Sequence, residues 1–242
     1  MMNLVYPQIV TGADLLRGIN KLNYLAPLLK RRGAIAASIV NAKMYGVPSF
    51  YHTMKKYGIQ PVIGLTVHLD LGEGRVVLIY VYAKTEEGYR NLLKMSSAIS
   101  ITDEETLPIH WLEAYRAGCH IVCAMTDASW DGLRDEETIQ RLQNHPTEKT
   151  IYIGISRPGG ISHADELLIE TLAKTASLPI MAIYEARYIY PEDAFAFKTA
   201  DAIRSGEKLI EQAEALDVYE FSYLPEQAEL QAWFKDRLDW LE

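Results

Sequence analysis

Ile35–Gly64, IAASIVNAKMYGVPSFYHTMKKYGIQPVIG, decides how the rest of this sequence is read. An apolar run ends at Val40, a loop continues through Gly46, a helix opens with Pro48 in its first turn and closes at Gly58, and Pro61-Val62-Ile63-Gly64 resumes an extended run. Proline suits the first turn because its missing N–H has no helical partner there, and glycine suits the left-handed residue that ends a helix. Strand, loop, helix and strand make one crossover unit of a parallel sheet. Such units carry chemistry on the loop after the strand, here Val40 to Gly46. That loop offers no catalytic carboxylate, histidine or thiol.

Working outward, Thr11 to Gly33 reads as one helix, with Thr11 and Asp14 in capping-box spacing and Leu15, Leu16, Ile19, Leu22, Leu25 and Leu29 as its buried stripe. Downstream, Leu65 to Asp70 prolongs the strand, Leu71-Gly72-Glu73-Gly74 turns, and Arg75 to Ala83 returns as the second arm of a hairpin. Thr85 caps a helix, EEGYRNLLKMSSAIS, with Tyr89, Leu92, Leu93 and Met95 mostly on one face. Thr102 to Thr106 reads as a solvated acidic connection, Leu107 to Ala117 as a short helix, Cys119 to Met125 as a strand, and Thr126 to Gly132 as a polar loop. A helix over Leu133–Asn144 then leads to a strand over Ile151–Ile155. A helix from His163 to Ala176, a strand from Pro179 to Tyr184, a helix beginning near Pro191 and an amphipathic helix from Gln227 to Glu242 complete the pattern. Strands alternating with helices predict an α/β fold with a mainly parallel sheet.

Composition narrows the function. The 242 residues are 49% hydrophobic, ample for a core, and the formal charge of −8 gives no global footprint for nucleic acid. The basic run Lys30-Arg31-Arg32 falls at a predicted helix C-terminus, where cations complement the dipole. No leader-like start or membrane-length apolar run is visible, and Cys119 and Cys123 have neither metal-site nor disulfide-framework spacing, so a soluble cytoplasmic protein is expected. The six histidines, His52, His68, His110, His120, His145 and His163, are scattered without ligand spacing.

Several blocks carry a resemblance that spans about residues 4–210. Met44-Tyr45-Gly46, Phe50-Tyr51, Gly58-Ile59 and Pro61-Val62-Ile63-Gly64, then Glu86 through Lys94, Arg187-Tyr188 with Pro191-Glu192-Asp193-Ala194, and Ile203-Arg204-Ser205-Gly206 through Leu209 resemble the PHP (polymerase and histidinol phosphatase) domain at the N-terminus of bacterial DNA polymerase III alpha subunits. The resemblance implies a distorted TIM-like (β/α) barrel with a cleft at the C-terminal ends of its strands. It also implies a PHP-like domain over 1–210 and a C-terminal helical extension over 211–242 leading toward a polymerase region. There the helix bearing Trp233, Phe234, Leu238 and Leu241 is the expected docking surface. The remainder of the alpha subunit is the expected partner, with other replisome subunits beyond it. DNA-directed DNA synthesis belongs to the full-length parent, a nucleotidyltransferase, and magnesium is expected only in its polymerase region.

Active members of this family hold metal ions through His, Asp, Glu and Cys, and the resemblance implies that this sequence has lost those ligands. The opening His-x-His falls at Gln8 and Val10, the Asp-His pair at Val40 and Asn41, and the next carboxylate at Thr66. Leu78 and Met125 replace a His and a Cys, Pro158 another His, and the closing Asp-x-His falls at Glu185 and Arg187. Only Glu185 retains a ligating group, and an ion pair with Arg187 is its expected use. No metal, no cofactor and no catalytic residue are therefore expected for this domain, and a structural role follows. The competing reading is a phosphate-binding or phosphoesterase-type PHP enzyme, or a free-standing divergent PHP protein. In it Arg157, Gly159, Gly160 and Ser162, lying between a strand and a helix, would hold an anion.

Overall fold

The computed structural model describes residues 4–101, 105–126, 138, 151–159, 162–206 and 220–241. Apart from Thr138, the expected helix over 133–144 and most of the polar loop before it lie outside the described residues.

The central unit forms as its sequence dictates. Strand β1 (Val5–Ile9), helix α1 (Leu22–Arg31), strand β2 (Ala36–Ile39), helix α2 (Val47–Lys56) and strand β3 (Gln60–Gly72) follow in order, with β1 and β2, then β2 and β3, paired in parallel. β4 (Arg75–Ala83) returns antiparallel to β3 as the expected hairpin. Thr85 caps α3 (Glu86–Ser100) by accepting from the N–H of Gly88. After β5 (Thr106–Pro108) and α4 (Ile109–Tyr115) come β6 (Cys119–Met125), β7 (Ile151–Ser156), α5 (His163–Thr175), β8 (Ile180–Ile183), β9 (Glu185–Ala186), α6 (Ala194–Ser205) and α7 (Gln227–Trp233). The strands run in the order β8-β7-β6-β4-β3-β2-β1-β9. Because β8 and β9 are one chain run separated by Tyr184, this path of eight strands is a nearly closed barrel. Its pairings are parallel except for the two made by β4.

Alternation along the strands divides the core into layers. On β4, Val77, Ile79 and Val81 face outward to α3 and α4, while Tyr80 and Tyr82 face inward to Val10, Val40, Val122, Ala124 and Ile183. A second outer layer packs α1 and α2 on β1 and β2 through Leu25, Leu29, Phe50 and Met54. Between α3 and the turn before β6, a Cβ on Gly88 would lie 1.9 Å from the carbonyl oxygen of Gly118. Only glycine permits that approach.

Four expected elements differ. Thr11 to Asn20 is not helix: Leu16 takes a φ of 65°, Leu15 is exposed, and the peptide groups of Thr11 and Asn20 bridge each other. The helix begins only at Leu22 because Thr11 gives its N–H to the Asn41 side chain and Asp14 accepts from the N–H of Ala42. Thr106–Pro108 is a strand rather than the end of an acidic loop and the start of a helix, since the long β3 offers it an edge from His68 to Asp70. On α3, Leu93 is exposed whereas Leu92 and Met95 are buried.

The C-terminal helix stops at Trp233 and a short 3₁₀ turn covers Leu238–Leu241. Positions six apart lie about 240° apart around a helix, so one unbroken helix could not turn both Phe234 and Trp240 into the same layer. The break places both in it, while Leu224 and Leu230 enter the other outer layer. Of the expected docking surface, Phe234 is fully buried on its own barrel and Trp233 and Leu241 pack partly on it, while Leu238 stays exposed. No helix among the described residues is long and apolar enough to cross a membrane.

Candidate functional site

The loops after β1, β2 and β9 gather at one end of the barrel, and the structure brings most of the expected positions together there. Gln8 is buried in the lumen, where its amide donates to the Tyr82 hydroxyl at 2.7 Å and accepts from the N–H of Tyr184 at 3.1 Å. Val10 and Val40 fill the lumen beside Tyr80 and Tyr82. Asn41 accepts from the Thr11 N–H at 2.9 Å and donates to the Thr11 hydroxyl and the Tyr45 carbonyl, each at 2.9 Å. Thr66 donates to the Val40 carbonyl at 2.5 Å. Leu78 and Pro158 line a cavity of about 160 Å³ that also meets Tyr80, Ser156 and Glu185. Met125 stands apart, in the outer layer with Ile121 and Cys123.

Glu185 is the ionisable group at the centre. It pairs with Arg187 and accepts from the Tyr80 hydroxyl at 2.9 Å. Burial, then the Glu185 charge, pushes the Tyr80 phenol well above the ordinary tyrosine value, and burial does the same for Tyr82. Both hydroxyls therefore remain neutral donors. Arg187 also donates to the Arg17 carbonyl at 2.8 Å.

Four further charged residues complete the site. Asp14, Arg17, Lys43 and Glu105 surround the mouth, with Glu105 paired to both Arg17 and Lys43. Burial pushes the Asp14 carboxyl up despite the Ala42 N–H and nearby Arg17. In sequence, Asp14 reads as a helix-cap partner, Glu105 as part of a solvated acidic run, and Lys43 as one residue of the loop after β2. The only sequence signal was that each lies beside a loop that follows or precedes a strand.

These residues do not fit a metal ion. Val10, Val40 and Leu78 offer no donor, the amides of Gln8 and Asn41 are engaged by protein groups, and the Glu185 carboxylate is neutralised by Arg187. Among the described residues no three His, Cys, Asp or Glu side chains are grouped so as to hold a metal.

The candidate anion loop is likewise turned toward protein groups. Arg157 binds Glu166, with Nε to Oε2 at 3.0 Å, and Asp236 at 2.7 Å, and its guanidinium lies 5.4 Å from the ring centres of both Phe234 and Trp240. Ser162 caps α5, accepting from the Asp165 N–H and donating to its carboxylate. Gly159 takes a φ of 74° against the Phe221 ring, and Gly160 lies outside the described residues.

Comparison with known proteins follows the same geometry. The DNA polymerase III subunit alpha of Bacillus subtilis is 29% identical over 237 residues, covering 93% of this chain and 21% of the relative. That of Campylobacter jejuni is 28% identical over 240 residues, covering 86% of this chain and 20% of the relative. The chain thus spans about a fifth of the length of the curated relatives it matches. A solved structure assigned as a metal-dependent phosphoesterase from Bifidobacterium adolescentis superposes with a TM-score of 0.55 over 75% of this chain and 86% of its own, at 11% identity, which speaks for the fold alone. The PHP domain profile matches residues 11–157, from the mouth loop after β1 to the end of β7. The chain belongs to the PHP domain family.

Proposed function

We propose that this chain is the N-terminal PHP domain of a replicative DNA polymerase III alpha subunit, and that it serves as a metal-free scaffold rather than a catalyst. The observation that carries this reading is the mouth itself. Where metal-binding relatives are expected to place ligands, this chain places Gln8, Val10, Val40, Asn41 and Thr66, and joins its one remaining carboxylate there, Glu185, to a permanent cation. A divalent ion activates water and neutralises phosphate only when several hard or imidazole donors hold it, and that set is missing.

On this reading DNA synthesis, magnesium and nucleotidyl transfer belong to the rest of the alpha subunit, which is the domain's partner, and other replisome subunits join through that assembly in the cytoplasm. The likeness to polymerase alpha subunits over most of this chain supports it. The phosphoesterase alternative has only a fold likeness behind it, and Arg157 and Ser162 are engaged elsewhere.

The test is elemental analysis of the purified chain together with exonuclease and primer-extension assays in magnesium and manganese. We expect no stoichiometric zinc, manganese or iron after dialysis against a weak chelator, and neither activity. Near-stoichiometric retained metal, or metal-dependent cleavage lost in Glu185→Ala, would sink the proposal.

A further inference from the structure

The charged groups at the mouth form one connected path through five separate segments. Tyr80 on β4 donates to Glu185 on β9, and Glu185 pairs with Arg187. Arg187 donates to the Arg17 carbonyl at 2.8 Å, on the loop after β1. The Arg17 side chain pairs with Glu105 before β5 and stands 3.8 Å from Asp14. The second oxygen of Glu105 accepts from Lys43 at 2.8 Å, on the loop after β2, where Ala42 also donates to Asp14 at 2.6 Å.

Asp14, Glu105 and Glu185 thus face Arg17, Lys43 and Arg187, so the formal charges balance and no excess negative charge is left to attract a divalent cation. Isolated exposed pairs hold segments weakly because each pair must order two long side chains. Here members share partners: one ordered Glu105 serves two cations, and one ordered Arg187 serves a carboxylate and a carbonyl.

We infer that this path is a metal substitute built from side chains, in which guanidinium and ammonium groups tie the loops after β1 and β2 to β4, β9 and the segment before β5. The inference rests on the metal-free reading above. Its distinctive consequence is action at a distance: Arg187 and Glu105 are joined only through Arg17 in this path, yet loss of either should loosen the same loops.

The experiment is amide hydrogen exchange, with thermal unfolding, on the 242-residue chain and its Arg187→Gln, Glu105→Gln and double variants. Each single change is expected to raise exchange across both 11–20 and 41–46. The double variant should fall short of the product of the single effects, by up to the full effect of Glu105→Gln, as coupled sites do. Exchange changes confined to 185–189 in Arg187→Gln, or effects that simply multiply, would overturn the inference. Should Arg187→Gln fail to fold, Lys43→Gln takes its place, and it must raise exchange in 11–20, which it reaches through Glu105. A rise in the unfolding temperature of the unaltered chain on adding zinc or manganese, reversed by chelator, would instead overturn the metal-free reading, whatever the exchange data show.

Discussion

Arg157 and Arg187 each bind a carboxylate at this end of the barrel, but their surroundings differ. Arg157 lies against two aromatic rings, and its partner Glu166 is nearly inaccessible, with 6% of its side chain exposed. Arg187 and Glu185 retain 24% and 15% exposure, and Glu185 keeps a second donor in Tyr80. The same ion pair is therefore a fastening in one place and an adjustable tie in the other. Burial of the orphaned partner, more than the pair's attraction, sets what its loss costs.

The largest expected effect breaks the first fastening. Arg157→Met leaves Glu166 buried without its cation and removes the link to Asp236, so we expect a loss of about 3 kcal/mol or more in unfolding free energy. At this chain length that lowers the melting temperature by about 6–12 °C. Adding Glu166→Gln should recover part of it, and denaturant unfolding of the single and double variants checks both. Arg157→Met costing no more than Arg187→Gln would remove the basis of the comparison.

An intermediate effect is expected at the mouth. Arg187→Gln should cost about 1–2 kcal/mol, because Glu185 can keep its Tyr80 bond and take up water. The same unfolding measurements, repeated across salt concentration, sharpen the contrast: the cost at Arg187 should shrink with added salt more than the cost at Arg157.

Glu105→Gln should cost less, about 0.2–1 kcal/mol, since 40% of the Glu105 side chain is exposed. The hydrogen bond from Lys43 holds the Glu105 carboxyl below its ordinary value. A depressed carboxylate stabilises above its unfolded pKa and loses that contribution as pH falls through the folded one. The difference between the unaltered chain and Glu105→Gln should therefore be full near pH 6 and fade below about pH 4, as urea midpoints across pH would show. A difference that grows on acidification would reverse the sign of this pairing.

The smallest effect is an absence of reaction. Burial pushes the thiols of Cys119 and Cys123 up to about 12. At pH 8 a fraction on the order of one in ten thousand is thiolate, so an aromatic disulfide reagent should label neither in the folded chain and both in denaturant. Rapid labelling of the native chain would show that the outer layer beneath β6 opens.

The local elements were legible because each carries its own instructions. Pro48 and Gly58 bracket α2, Thr85 caps α3, and the alternation from Arg75 to Ala83 builds β4 on the hairpin turn. Of the site, the sequence supplied the closeness of Glu185 to Arg187, which share a strand end. It could not supply the other members of the path. Asp14 meets Ala42, Arg17 meets Glu105 and Arg157 meets Asp236 across tens of residues, and no periodicity marks a side chain whose partner arrives from another segment.

What this sequence determined by itself was the alternation of strands and helices, because backbone bonding and apolar period are properties of short stretches. Only the tertiary structure decided that Thr11–Asn20 is a loop, that Thr106–Pro108 is a strand and that the chain breaks after Trp233. In each case a distant group, the Asn41 side chain, the free edge of β3 or a shared layer for Phe234 and Trp240, outweighs the local helical preference.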